Sequence, residues 1–281
     1  YSAINEIKNY LNENQVLIFR STLFPGTSEK IKEMLSSEGI NIGISFCPER
    51  IAQGYALEEL HEFPQIISGS NEKALNTVRI LFADIASETI TLDLAEAEIA
   101  KLITNTWRYI NFSIANQFYM ILEEKGFDFY KIKDAISKNY PRAVNFPNAG
   151  FAAGPCLFKD TMQLAAFNRH NFTLGHSAML VNETLPDFLV EKVKRKTTLS
   201  GKKVGILGMA FKPNNDDNRE SLAYKLKRLL TYENAIVLCT DPHIEEESFL
   251  PVHEVIEMSE IIFIGCPHKE YDSLTIKDKT V

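Results

Sequence analysis

Along the first ninety residues the apolar positions switch between a helical and an extended period. An amphipathic run at Ala3 to Leu11 precedes the apolar block Val16-Leu17-Ile18-Phe19, and Pro25-Gly26-Thr27 then opens a helical pattern that lasts to Leu35. The order predicted is helix, strand, turn, helix. A second apolar run, Ile40 to Phe46, leads through a polar loop to a short strand at Ile66-Ile67-Ser68 and a helix from Asn71 to about Ile85. Strands alternating with helices predict parallel βαβ units.

From Leu92 to Glu124 there is no Pro or Gly, and apolar residues recur at Ile99, Leu102, Ile103, Ile110 and Ile114. One long helix is expected there, followed by helices at Phe129 to Ser137, Thr161 to Phe167 and His176 to about Lys196. A polar hinge, Leu199 to Lys203, leads to a strand at Val204 to Gly208, a helix at Ser221 to Leu230, and strands at Ala235 to Cys239 and Ile261 to Cys266. The fold class is α/β, with a helical middle third separating two α/β parts. The expected domains are 1–91, 92–198 and 199–281. The chain opens with Tyr1 inside a helical pattern and stops after Lys279-Thr280-Val281, which reads as a piece of a longer protein, truncated at both ends.

With 281 residues, 45% of them hydrophobic, the chain can bury a sizeable core. A net charge of -7 argues against a nucleic-acid partner. No apolar run approaches the roughly 18 residues that span a bilayer, and Tyr1 to Asn14 lack a charged stretch followed by an apolar one, so neither membrane targeting nor export is expected from these residues. The four cysteines, Cys47, Cys156, Cys239 and Cys266, show neither metal-ligand nor disulfide spacing, so no metal is expected and a reducing cytoplasm fits best.

Candidate chemistry concentrates in Ala149-Gly150-Phe151-Ala152-Ala153-Gly154-Pro155-Cys156-Leu157-Phe158-Lys159-Asp160. Small residues admit a ligand close to the backbone, and a neighbouring Lys159 gives the cysteine an electropositive setting. Taken alone, Cys156 reads more readily as a buried cysteine in a turn. On the long helix Lys101 and Asn105 are four residues apart with Arg108 continuing their face, a set able to stabilise an oxyanion, although the helix by itself reads more readily as a solvated stripe. Arg20-Ser21-Thr22-Leu23-Phe24-Pro25-Gly26-Thr27 follows a strand and opens a helix, where free amides and a hydroxyl could meet a cofactor or water, although such residues also serve as ordinary caps. Gly205 and Gly208 form only Gly-x-x-Gly after a strand, which reads as close packing.

These motifs together resemble the UDP-glucose/GDP-mannose dehydrogenase family. The likeness rests on Gly-x-Cys with an Asp four residues on (Cys156, Asp160) and on the helix Glu98-Ile99-Ala100-Lys101-Leu102-Ile103-Thr104-Asn105. It extends to Cys47-Pro48-Glu49-Arg50-Ile51-Ala52-Gln53-Gly54 and to Gly208-Met209-Ala210-Phe211-Lys212 with the distal Asp217-Asn218-Arg219-Glu220-Ser221. The resemblance implies a partial Rossmann-like NAD domain, a central long helix with a helical domain, and a truncated Rossmann-like nucleotide-sugar domain. It implies NAD-dependent, four-electron oxidation of a UDP-sugar C6 alcohol to the carboxylate. Cys156 would be the nucleophile, Lys101 and Asn105 the oxyanion donors, Glu49 the base, and Thr22 and Asp160 the water-orienting groups. Gly150, Phe151, Gly154, Phe211, Lys212 and Arg142 would contact substrate, the last from a neighbouring subunit. Ser21, Thr22, Glu49 and Arg219 would face the cofactor. Gln53 stands where the UDP-glucose enzymes carry a carboxylate, which points to a UDP-N-acetylhexosamine such as UDP-N-acetylmannosamine. The family's Gly-x-Gly-x-x-Gly grip on NAD is not in the chain, so the expectation is that this piece alone does not turn over. A homodimer through the long helix is also implied. Competing readings are UDP-glucose 6-dehydrogenase, a hydroxyacid dehydrogenase, which needs no cysteine, and a nucleotide-sugar-binding module without catalysis.

Overall fold

The computed structural model describes residues 1–276, so the last domain limit expected, Val281, lies outside the described residues. The chain forms two compact units. Unit 1 comprises Tyr1–Asn105 with Gln163–Asn171, and unit 2 comprises Thr106–Met162 with everything from Phe172 onward.

Unit 1 begins with α1 (Ser2–Ile7) and a 3-10 turn at Lys8–Tyr10. Strand β1 (Val16–Phe19), helix α2 (Thr27–Ser37) and strand β2 (Gly43–Phe46) make a parallel βαβ unit, with Val16 opposite Gly43 and Phe19 opposite Phe46. Ile31 and Leu35, one turn apart on α2, pack with Ile44 and Phe46, and all four are 2% exposed or less. After α3 (Ala56–Glu62) come β3 (Gln65–Ile67), α4 (Glu72–Ala83) and β4 (Thr89–Thr91), with β3 and β4 parallel. Asn71 caps α4 by accepting from the Ala74 N–H at 2.8 Å. Two of these elements do not emerge from periodicity. Helix α3 buries none of its residues and so carries no apolar stripe, and β4 is three residues long with no fully buried position.

Helix α5 (Leu94–Glu124) runs 31 residues, as its unbroken pattern predicts. In unit 2, α6 (Phe129–Ser137), α7 (Leu157–Phe167, its last turn belonging to unit 1) and α8 (Thr173–Lys194) precede β5 (Lys203–Leu207), α9 (Leu222–Tyr232), β6 (Ile236–Thr240), α10 (Val252–Met258) and β7 (Ile261–Ile264). Helix α7 starts four residues earlier than expected, because the Cys156 carbonyl already accepts the Asp160 N–H at 2.9 Å. The three strands form a parallel sheet in the order β6-β5-β7, a Rossmann-like arrangement.

The Gly-x-x-Gly of β5 serves packing. A Cβ on Gly205 would lie 2.7 Å from Ser259 Oγ and 2.8 Å from Val255 Cγ1; one on Gly208 would lie 2.3 Å from the Cys266 carbonyl oxygen, at a φ of +87°. No helix among the described residues is long and apolar enough to cross a membrane.

Candidate active site

In unit 1 the candidate residues gather beyond the carboxyl ends of two neighbouring parallel strands, Thr22 after β1 and Glu49 after β2. Glu49 is held from two sides. Arg20 pairs with Oε2, while Oε1 accepts the N–H groups of Arg50 at 2.9 Å and Ile51 at 3.1 Å. Arg20 itself lies 3.4 Å from Gln65 Oε1 and 5.0 Å from the centroid of the Phe82 ring. Thr22 is half-buried and Ser21 exposed.

The expectation of free amides at the start of α2 is overturned. Glu98 of α5, fully buried, accepts Ser28 N–H at 2.8 Å and Ser28 Oγ–H at 2.6 Å through Oε1, and Gly26 N–H at 2.5 Å through Oε2. A carboxylate thus takes the anion position that the helix N-terminus offers. Those amides are taken up and do not fit a cofactor diphosphate. Lys101 and Asn105 follow Glu98 by three and seven residues on the same face of α5. Lys101 is half-buried and Asn105 buried. Arg108 does not share that environment; it is exposed.

In unit 2 Cys156 immediately precedes the first residue of α7, where unpaired helix N–H groups favour negative charge. It is the one exposed cysteine among the described residues. Burial pushes the other three thiols up, Cys47 and Cys239 to about 11 and Cys266 to about 12. The electropositive neighbour expected in Lys159 is offset: its ammonium is exposed and lies 3.6 Å from the buried Asp160 carboxylate. Arg219 is the cation whose field reaches Cys156. Its pKa is pushed up first by hydrogen bonding to Asp217 (Nη2–Oδ2 2.6 Å), with a smaller contribution from Cys156.

The loop before Cys156 is fastened at both ends. The Gly150 N–H donates to Asn116 Oδ1 at 2.8 Å, Asn116 Nδ2 to Asn182 Oδ1 at 2.9 Å, and Asn182 Nδ2 to the Tyr109 carbonyl at 3.1 Å. Phe151 packs on the core around Val204 and Leu226. Gly154 has φ +98°, and a Cβ there would sit 2.6 Å from the Phe211 ring. No larger residue fits, so the Gly-Pro-Cys loop lies directly against the Ala-Phe-Lys loop. A cavity of about 380 Å³ adjoins them, lined by Ala152, Ala153, Gly154, Ser221, Lys225 and Arg228. Lys212 is half-buried, and Arg142 is exposed, with its guanidinium 5.8 Å from the Tyr140 ring.

At the carboxyl end of β6, Asp241 occupies the place where a dinucleotide fold carries its ribose-binding acid. Here both oxygens are consumed. Oδ2 accepts the N–H groups of Met209 and Ala210 at 2.7 and 2.9 Å, and Oδ1 those of His243 and Ile244 at 2.8 and 3.2 Å. Burial works against its charge, but the His268 ring and these amides outweigh it and bring the carboxyl down to about 2. No role for Asp241, His268, Asn116, Asn182, Arg20 or Glu98 is evident in the sequence, although Arg20 and Glu98 stand inside its motifs. Arg20, Asp241 and His268 stand just past the carboxyl ends of β1, β6 and β7, and Glu98, Asn116 and Asn182 lie within helices α5 and α8.

Residues 1–106 match the NAD binding domain of the UDP-glucose/GDP-mannose dehydrogenase family, residues 95–184 its central domain and residues 205–280 its UDP binding domain. The UDP-N-acetyl-D-mannosamine dehydrogenase of Methanocaldococcus jannaschii is 32% identical over 98% of this chain and 65% of its own length. That of Pyrococcus horikoshii is 29% identical over 97% of this chain and 67% of its own. The chain therefore spans about two thirds of the length of these curated relatives. Among solved structures, the P. horikoshii UDP-D-ManNAc dehydrogenase superposes with a TM-score of 0.88 at 28% identity, covering 98% of this chain and 68% of that one. The Staphylococcus aureus UDP-N-acetyl-mannosamine dehydrogenase gives 0.86 at 28% identity, with the same 98% and 68% coverage. With its motifs in place and all three domains of the family matched in order, the chain belongs to the UDP-glucose/GDP-mannose dehydrogenase family.

Proposed function

We propose that the protein from which this chain comes oxidises the C6 alcohol of a UDP-N-acetylhexosamine to the carboxylate, through a thioester on Cys156. The observation that carries this reading is the exposed Cys156 at the head of α7, in a loop whose Gly154 lies against Phe211 of the matched UDP binding domain.

NAD would supply the hydride acceptors, one molecule for each of the two oxidations. Loss of a hydride from C6 and a proton from its hydroxyl gives the aldehyde. The Cys156 sulfur then adds to the carbonyl carbon, giving a thiohemiacetal, and Lys101 and Asn105 donate to the oxygen that carries the developing charge. Loss of a second hydride from that carbon, and of the proton on its oxygen, leaves the thioester. Glu49 draws a proton from water, with Thr22 and Asp160 orienting it; the water oxygen bonds to the thioester carbon, the carbon–sulfur bond breaks, and the proton passes to the sulfur, releasing the carboxylic acid, which ionises, and returning the thiol. Lys212 would hold the diphosphate as a point charge beside Phe211, with Gly150 and Phe151 shaping the sugar side. Arg219 would serve the cofactor, and Arg142 a substrate in a neighbouring subunit.

The sugar assignment is supported by the related UDP-N-acetyl-D-mannosamine dehydrogenases and by Gln53 in place of a carboxylate. In the full-length protein, a panel of UDP-hexoses should give two NADH per sugar, fastest with UDP-N-acetylmannosamine. One NADH per substrate would instead favour a hydroxyacid-type dehydrogenase.

The protein is proposed to act in the cytoplasm as a homodimer. Helix α5 presents Trp107, Ile114, Phe118 and Ile121 at heptad-like spacing, 41 to 67% exposed, an apolar stripe that a second copy would cover. Phe118→Glu should convert the sedimenting species to monomer; an unchanged sedimentation coefficient would remove this helix from the interface.

A further inference from the structure

The segment that carries Lys212 has no regular structure between Gly208 and Ser221, yet both of its flanks are tied to one pair of buried side chains. Before Lys212, the N–H groups of Met209 and Ala210 donate to Asp241 Oδ2. After it, the Asn214 N–H donates to His268 Nδ1 at 3.0 Å, and Asn214 Oδ1 accepts the Lys269 N–H at 3.0 Å. Since Nδ1 accepts, the ring proton is assigned to Nε2, which donates to Asp241 Oδ2 at 3.1 Å. A closed circuit therefore runs Ala210, Asp241, His268, Asn214, with Lys212 midway between the two anchored backbone positions.

The circuit is sealed. The side chains of Asp241 and His268 are both 0% exposed, and the Tyr271 ring stands edge-on to the imidazole at 5.5 Å between centroids. Asn214 is held at φ +56°, a left-handed conformation that asparagine tolerates better than most residues. All of these groups lie past the carboxyl ends of β5, β6 and β7, where open parallel sheets bind ligands. A backbone fixed on both sides of one lysine has less freedom left to lose when an anion is bound.

We propose that His268 and Asp241 are positioning residues for nucleotide diphosphate binding, acting through the Lys212 segment. The inference rests on the reading of Lys212 as the diphosphate-binding cation. It makes the imidazole a neutral bridge, accepting on one nitrogen and donating from the other, and glutamine is the other uncharged side chain that offers one acceptor and one donor at comparable reach.

The test is calorimetric titration of the full chain with UDP. His268→Ala should weaken binding about tenfold, the loss expected when about 1.4 kcal/mol of preorganisation is removed. His268→Gln should stay within about threefold of the native chain. Lys212→Ala combined with His268→Ala should bind no more weakly than Lys212→Ala alone, because a positioning residue has nothing left to position. Unchanged binding by His268→Ala, or additive losses in the double variant, would overturn the proposal. Absence of UDP binding by the native chain would instead strike the nucleotide reading itself. Should His268→Ala fail to fold, the comparison moves to His268→Gln and to the imidazole 15N shifts of the native chain. Those shifts should report the Nε2–H tautomer, and a ring protonated on Nδ1 would refute the circuit.

Discussion

Cys156→Ser in the full-length protein should end uronate formation, with four-electron turnover lowered on the order of 10³-fold or more. The first oxidation asks nothing of the sulfur, so the variant should release at most one NADH per sugar and stall at the aldehyde. A serine hydroxyl is a far weaker nucleophile than cysteine near neutral pH, and no base has been placed beside it. The same site can be read by alkylation. At pH 8 iodoacetamide should label the native chain at Cys156 and leave Cys156→Ser unlabelled, since Cys47, Cys239 and Cys266 are buried with thiols raised to about 11, 11 and 12. Two NADH per sugar from the serine variant would exclude the thioester. Label spread over all four cysteines of the native chain would show that the burial pattern is wrong.

Glu98→Ala is expected to be the most destabilising single change in unit 1. The buried carboxylate satisfies two backbone N–H groups and one hydroxyl at the entry to α2, and truncation leaves the two buried Ser28 donors and the part-buried Gly26 N–H without it. Leaving several such groups unsatisfied costs about 3–5 kcal/mol, to which the vacated volume adds. Glu98→Gln keeps one acceptor oxygen but turns an NH2 toward a donor, so about half of that loss should remain. Urea unfolding followed by circular dichroism would measure both. A loss below about 1 kcal/mol for Glu98→Ala would mean that water replaces the carboxylate and that the Thr22 turn does not depend on it.

The two results separate two kinds of information. Cys156, Lys101 and Lys212 are conspicuous in the sequence because their chemistry is written in short local motifs, each within about a dozen residues. Glu98 sits inside one of those motifs, three residues before Lys101, and still shows no role there. Its partners, Gly26 and Ser28, are 72 and 70 positions away. Asp241 and His268 are 27 apart, and Asn116 and Asn182 are 66 apart. No periodicity links such pairs.

From its pattern alone the chain determines parallel βαβ units, a 31-residue helix and the loops that carry the reactive residues, because apolar period and turn chemistry act over one or two turns of chain. Tertiary structure alone decided that α2 spends its N-terminal amides on Glu98, that α7 begins directly after Cys156, and that Asp241 faces inward to hold the Lys212 segment. A buried polar group must find a partner wherever packing brings one within about 3 Å, and which residue that is depends on the closure of the whole fold.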